Sequence, residues 1–362
     1  MKVRIGIDVG GTFTDAVIID DNTYKLVGTL KILTTHKENE GVTFGIIKVI
    51  KEVMEKYNIK PEDVVFIAHG TTQATNALLE GDVVPIGIVG MGNGMEGLKA
   101  RGDTQVGDIE LAPSRYLKTY HRYMDTSKEN NIEAVIKELK DEGCEVIVAS
   151  AAFSVDDSSS ETEVLKIASK MGIYSTGSHE ISKLYGLKIR TRTASINASI
   201  LPKMIETANM TEVSVKKAGI KAPLMIMRGD GGVMDINEVR KRPILTMLSG
   251  PAAGVAGALM HEKISNGVFL EVGGTSTDIS VIKNGKVMVE YAVVGGHKTY
   301  LSSLDVRTVG IAGGSLVRIG DKGVIDVGPR SAHIANLGYS VYSNPEDIVC
   351  LLYTSPSPRD TR

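Results

Sequence analysis

Two short blocks carry the residue types that phosphate chemistry needs. The first is Asp8-Val9-Gly10-Gly11-Thr12-Phe13-Thr14-Asp15, and 263 residues later comes Glu271-Val272-Gly273-Gly274-Thr275-Ser276-Thr277-Asp278, identical at six of eight positions. Adjacent glycines let the backbone reverse closely enough for its N–H groups to converge on an anion. Thr12, Thr14, Thr275 and Thr277 add hydroxyl donors. Carboxylates beside such a nest would repel phosphate unless a cation stood between them. Magnesium suits, because it needs only one or two carboxylates besides phosphate oxygens and water. Asp8 is therefore read as a catalytic carboxylate and magnesium ligand. Asp278, as a second metal ligand, and Glu271 would orient a water or the cation from the other side. For Asp15 and Asp278 the competing reading is capping of their own turns. Neither block is a Walker loop, since no lysine follows the glycines, and neither is a dinucleotide fingerprint.

Other residues are weighed against plainer roles. His69 closes an apolar run before Gly70-Thr71-Thr72, where it would shuttle a proton or touch phosphate; otherwise it ties the loop to backbone. Asn76 suits a substrate amide or a helix cap equally. Ser249-Gly250-Pro251 precedes a helix expected from about Ala252, a start that favours anions through its N–H groups. Gly313-Gly314-Ser315 allows close approach of a nucleotide. Cys144, with no histidine near it in sequence, reads as core packing. The histidines lack zinc-ligand spacing.

The elements that must position these residues follow from periodicity. Each block leaves an apolar strand (residues 5–7; 268–270) and enters another (16–19; 279–282), so each is a strand-turn-strand device. Two such devices predict a duplicated fold with a nucleotide held between the hairpins. Between them, residues 41–57, 73–80, 132–139, 161–171, 196–210 and 250–262 read as helices. Residues 64–68, 83–89, 146–149, 224–227 and 267–272 read as strands, and 279–294 as a hairpin. Residues 91–97 read as loop, 100–130 are weakly patterned, and a boundary is expected at 187–195. The alternation is that of an α/β protein.

The composition of the 362 residues is globular, with 42% hydrophobic residues. The 41 basic and 43 acidic residues leave a net charge of -2, which argues against a nucleic-acid partner. There is no tryptophan, and only two cysteines, so neither a stacking platform nor a disulfide framework is expected. No apolar stretch is long enough to span a membrane and no signal peptide is recognised, so a cytoplasmic protein is expected.

The first block resembles the first phosphate loop of the hydantoinase/oxoprolinase family, within the actin-like ATPase superfamily. His69-Gly70-Thr71-Thr72, Gly229-Asp230-Gly231-Gly232, Ser249-Gly250-Pro251-Ala252, the block at 271–278, Asp305 to Gly310 and Val327-Gly328-Pro329 are similar to further family blocks. Glu271 stands where the family usually has aspartate, and Arg330 to Asn336 departs from its glycine- and proline-rich pattern. The resemblance implies duplicated actin-like (ribonuclease H-like) ATPase domains with the nucleotide in a cleft and the second half truncated. Domains are expected at 1–190 and 191–349. It implies ATP and magnesium as cofactors, with Gly10, Gly11, Thr12, Thr14, Gly273, Gly274, Thr275, Thr277, Gly313 and Gly314 at the nucleotide. Asp8, His69, Glu271 and Asp278 would be catalytic. The implied activity is ATP-dependent opening of a lactam or cyclic imide. A subunit of an ATP-dependent ketone carboxylase, a small-molecule kinase and a non-catalytic actin-like ATPase are the alternatives. Implied partners are a cyclic amide or ketone substrate, a hydantoinase B-like subunit and further copies of the chain.

The last thirteen residues, Cys350 to Arg362, follow no periodicity. They resemble one reading frame through a transposon-end sequencing adapter. The native sequence is expected to stop near Val349, leaving a fragment that is inactive by itself.

Overall fold

The structure, a computed structural model, describes residues 1–9, 13–33, 42–274, 276–320 and 323–331. The chain opens with β1 (Val3–Val9), β2 (Phe13–Asp20), β3 (Leu26–Leu33), α1 (Val42–Lys56), β4 (Val64–Thr71) and α2 (Gln73–Glu80). Then come β5 (Ile86–Gly92), α3 (Gly94–Thr104), β6 (Ile109–Ala112), β7 (Arg115–Leu117), β8 (Thr119–Asp125), α4 (Ile132–Asp141) and β9 (Val146–Ala151). They are followed by α5 (Ser159–Lys170), β10 (Tyr174–Gly177), α6 (Ser178–Ile181), α7 (Leu187–Lys217), β11 (Leu224–Met227), β12 (Val233–Asp235), α8 (Ile236–Val239) and α9 (Ser249–Glu262). The last strands are β13 (Gly267–Val272), β14 (Thr277–Lys283), β15 (Lys286–Val287), β16 (Val289–Val294), β17 (His297–Leu304), β18 (Arg307–Val309), β19 (Ser315–Gly320) and β20 (Gly323–Ser331).

This is the mixed α/β fold expected. Its first sheet has the order β12-β11-β4-β1-β2-β3. An antiparallel meander, β1 to β3, is joined on the other side by β4 and β11, both parallel to β1. Strand period two sets which side chains enter the core: Val3, Ile5, Ile7 and Val9 are buried, whereas Arg4, Gly6 and Asp8 occupy the other face. Each fully buried aliphatic side chain contributes roughly 1.5–3 kcal/mol. The second sheet, β10-β9-β5-β8, is wholly parallel. Helices α3 and α7 pack on one another, and α4 packs on α5.

Three departures from the sequence reading have physical causes. Residues 94–104, expected partly as loop, form α3, which keeps Met95 and Leu98 exposed and so lacks an apolar stripe facing the core. Residues 187–217 form one helix, although its first half reads as a polar boundary. Thr191, Thr193 and Ser195 are buried because each hydroxyl donates to the carbonyl four residues earlier, at 2.8 Å. The helix even accommodates Pro202. Finally, β14 turns at Asn284-Gly285, both at positive φ, into the short β15. Residues 289–294, expected to complete that hairpin, pair instead with β17.

Contacts divide the chain into two units: Met1–Ala253 with Val289–Ser303, and Gly254–Met288 with the residues from Leu304 onward. The change of domain expected near residue 190 falls in the first turn of α7. Among the described residues, no helix is long and apolar enough to cross a membrane. The expected native end near Val349 and the adapter-like tail lie outside the described residues, as does Arg330-to-Asn336 beyond Ser331.

Candidate functional site

In the first unit, β1 and β2 pair so that Asp8 faces Asp15 and Val9 faces Thr14. Opposed residues share a face of the hairpin, so Asp8 and Asp15 stand together while Thr14 lies with Val9 on the buried side. Thr14, expected as a hydroxyl donor to phosphate, thus faces the core. Asp15 forms an ion pair with Lys31, 3.2 Å away on β3. On the other flank Asp8 is opposite Gly70 of β4. A Cβ at Gly70 would sit 3.0 Å from Asp8 Oδ1, so glycine there leaves the carboxylate its room.

Asp8 is reachable by solvent yet hemmed in by protein. Lost hydration pushes its pKa above the ordinary carboxylate value, the Asp15 charge adds to the rise, and Lys31 opposes it. A carboxylate held in this state gains from a neighbouring cation, and Asp8 therefore fits the magnesium role as one of a few protein ligands. Among the described residues, no three His, Cys, Asp or Glu side chains gather as a metal cage. Gly10, Gly11 and Thr12 lie outside the described residues.

His69 was expected at a rim. It lies inside β4, 3% exposed, opposite Ile7 of β1 and Ile226 of β11. Burial lowers its pKa to about 4, a hydrogen bond with the Ile7 backbone opposing weakly, so the ring is neutral at pH 7. Among the described residues, its Nδ1 has no hydrogen-bond partner. Two residues that sequence reasoning missed share that condition: buried Gln73 Oε1 and Arg228 Nε, just beyond the ends of β4 and β11. Orphaned buried polar atoms are rare enough to need a reason. Three at or just beyond the carboxyl ends of adjacent parallel strands are where a ligand of an open α/β sheet is held. The only sequence signal was position, one or two residues past a strand.

The neighbouring loops are tied down. Ser249 begins α9, one residue ahead of the helix expected at 250–262, and its buried hydroxyl donates to the Thr71 carbonyl at 2.9 Å. Leu248, at φ 59°, donates its N–H to Thr75 Oγ1. Gly229 admits the Met247 carbonyl where a Cβ would collide. Asn76 is exposed and donates to Thr72 Oγ1. Cys144 is buried, which pushes its thiol up to about 11, as a core residue requires.

In the second unit the same register recurs: Glu271 faces Asp278 and Val272 faces Thr277. Here Thr308 of β18 takes the place of a third-strand partner and hydrogen-bonds the Asp278 carboxylate. Thr277 Oγ1 donates to the Ile311 carbonyl at 2.5 Å. The structure also brings together two glycine pairs that the sequence separates. The N–H groups of Gly313 and Gly314 donate to the carbonyls of Gly273 and Gly274 at 3.1 and 2.9 Å. Gly254 lies against Glu271, whose Oε2 occupies the space a Cβ would take. Thr275 lies outside the described residues.

A further polar cluster went unread in the sequence. Glu161, fully buried, accepts from Ala151 N, Ser178 Oγ and both the backbone and Nδ1 of His179. Burial pushes its carboxyl up, but these bonds outweigh it and hold the pKa below the usual value. Ser178 accepts in turn from Arg190 Nε, itself 1% exposed.

The profile of the hydantoinase/oxoprolinase N-terminal region matches residues 4–172, and that of hydantoinase/oxoprolinase matches residues 190–349. The alpha subunit of caprolactamase from Pseudomonas jessenii is 25% identical, over 91% of this chain and 51% of that protein. The 5-oxoprolinase 1 of Arabidopsis thaliana is 26% identical, over 91% of this chain and 29% of that protein. Among solved structures, nucleotide-free acetone carboxylase, a subject of ATP-dependent acetone carboxylation, matches with a TM-score of 0.70 at 21% identity. The match covers 91% of this chain and 51% of that one. At that identity the likeness is one of fold. The chain spans about half the length of the caprolactamase subunit and less of the oxoprolinase.

Proposed function

We propose a function from one premise: the chain belongs to the hydantoinase/oxoprolinase family. It is the ATP-using part of an enzyme that opens a lactam or cyclic imide of the 5-oxoproline or hydantoin type. The observation that carries this reading is the repeated register, Asp8 against Asp15 and Glu271 against Asp278, in a family whose relatives include a caprolactamase and a 5-oxoprolinase.

An amide carbonyl resists water because its oxygen and nitrogen are poor leaving groups. In the proposed reaction the carbonyl oxygen takes the terminal phosphoryl group of ATP, and the bond from that phosphorus to the bridging oxygen breaks, releasing ADP. Water then adds to the activated carbon. The ring C–N bond breaks with a proton passing to nitrogen, leaving an acyl phosphate, and a second water adds at that carbonyl to release inorganic phosphate and the carboxylate. Positioning and charge neutralisation supply the catalysis. Magnesium, when bound, would neutralise polyphosphate charge, with Asp8 of the first unit as a carboxylate ligand. Gly273 and Gly274 set the second turn beside the polyphosphate, with Gly313 and Gly314 bracing it. Thr14 and Thr277 brace their hairpins, and His69, buried and neutral, acts as a positioning residue between β1 and β11. A hydantoinase B-like subunit would complete the enzyme.

The test is phosphate release from ATP with 5-oxoproline, hydantoin, caprolactam, acetone or acetophenone, with and without such a subunit. Lactam-dependent phosphate release together with a ring-opened amino acid supports the reading. Turnover that requires a ketone and bicarbonate would move the protein to the carboxylases.

A further inference from the structure

The second sheet contains an arrangement that the phosphate hairpins do not use. Strands β5 and β9 are adjacent and parallel, but the helices that follow them lie on opposite sides. After β5 the chain enters α3, which packs with α7; after β9 it enters α5, which packs with α4. Adjacent parallel strands whose connections diverge in this way leave a crevice at their carboxyl ends, the usual place for a ligand in an open α/β sheet. A cavity of about 220 Å³ lies there.

Its lining has a definite chemistry. Glu96, Lys99 and Asp103 come from one stripe of α3 at helical spacing, and Arg190 comes from α7. Lys99, Glu96 and Asp103 thus bring charges of both signs to one small space, and the buried Arg190 forms part of its wall. Phe153 and Tyr185 supply apolar surface at the mouth, both largely exposed. Arg190 is held rigidly. It donates to Ser178 Oγ, the Leu184 carbonyl, the Ala151 carbonyl and Ser154 Oγ at 2.9–3.1 Å. These bonds account for four of its five hydrogens. The mouth is fixed as well: Tyr185 Oη donates to Asp156, and the Tyr185 carbonyl accepts from Tyr300 Oη. Phe153 sits at φ 57°, a conformation that bulky residues adopt only where the surroundings impose it, and such strain gathers at ligand sites.

We propose that this cavity binds a small zwitterionic amino acid, its carboxylate toward Lys99 and its ammonium toward Glu96 and Asp103. Both signs of charge in one cavity select against ligands carrying only one. The volume lies below the roughly 300–1,000 Å³ of pockets for drug-sized ligands, so the ligand is small. The site stands whether or not the protein opens lactams.

Titration calorimetry on the intact chain tests this, using L-glutamate and 6-aminohexanoate as zwitterions with glutarate and pentylamine as singly charged controls. At least one zwitterion is expected to bind at one site per chain, at least tenfold tighter than either control. Lys99→Gln and Glu96→Gln change exposed helix positions, and circular dichroism will report their folding. Each is expected to weaken the zwitterion at least tenfold. No heat with either zwitterion, equal affinity for a control, or unchanged binding by both folded variants would overturn the proposal.

Discussion

The two hairpins are built to one register and finished differently. In the first, Asp8 has lost hydration between Asp15 and β4, and the charge on Asp15 is answered by Lys31. In the second, Asp278 is answered by a neutral hydroxyl, Thr308, and Glu271 is exposed on a longer side chain. A shared turn fixes where carboxylates stand; the third strand beside it decides how strongly each needs a counter-charge. The first hairpin leaves a carboxylate short of solvation, the condition of a site that a cation completes.

The largest effect expected from this contrast is on turnover. Asp8→Asn should reduce magnesium-dependent ATP hydrolysis by at least about 100-fold, while Asp278→Asn costs less than about tenfold. Thermal melting should show the Asp8 variant as stable as the parent or more so, since a poorly hydrated charge has been removed. Equal losses at the two positions would erase the distinction between the hairpins.

Acid should weaken the first unit through its histidines. His69 and His121 have folded pKa values lowered to about 4, in both cases first by burial, from an unfolded value near 6.5. Between those values the unfolded chain binds the extra protons, so stability is full above about pH 6.5 and falls as pH drops toward 4. The fully buried His69 contributes up to about 3 kcal/mol, and the half-buried His121 less because solvent screens it. Urea melts at pH 7, 5.5 and 4.5 would show the decline, and His69→Gln should flatten it. A pH-independent midpoint would mean that neither ring is buried as described.

Gly70→Ala should lower turnover by about tenfold, roughly 1.4 kcal/mol in the barrier, by crowding Asp8. Gly254→Ala crowds the end of the long Glu271 side chain and meets the Phe269 ring at 3.1 Å, but it adds a good helix former, so its melting temperature should change little. Smallest of all, Lys31→Gln should shift stability by less than about 1 kcal/mol, because its ion pair is half exposed. Thr308→Val should cost about 1 kcal/mol by removing one hydrogen bond. A larger loss at Lys31 than at Thr308 would show the first hairpin leaning on its third strand more than the second does.

Much of this was legible in the residues. Repetition of the Gly-Gly-Thr block gave away the two hairpins, and their alternating aliphatics gave away β1, β2, β13 and β14. The polar half of α7 was not legible, because nothing in a sequence says that Thr191 and Ser195 will satisfy their hydroxyls within their own helix. The burial of His69 was hidden too. A histidine before two threonines resembles a rim residue until β11 is known to lie alongside. Gln73, Arg228 and the Glu161–Ser178–Arg190 chain depend on long-range pairing, which no local spacing encodes.

The most direct measurement is calorimetric titration of ATP into the chain and its Asp8→Asn variant, once with magnesium and once with EDTA. The expected result is that the variant binds ATP like the parent in EDTA but at least tenfold more weakly when magnesium is present. Parent-like affinity for magnesium-bound ATP in a folded Asp8→Asn variant would contradict the assignment of Asp8 to the metal-bound phosphate.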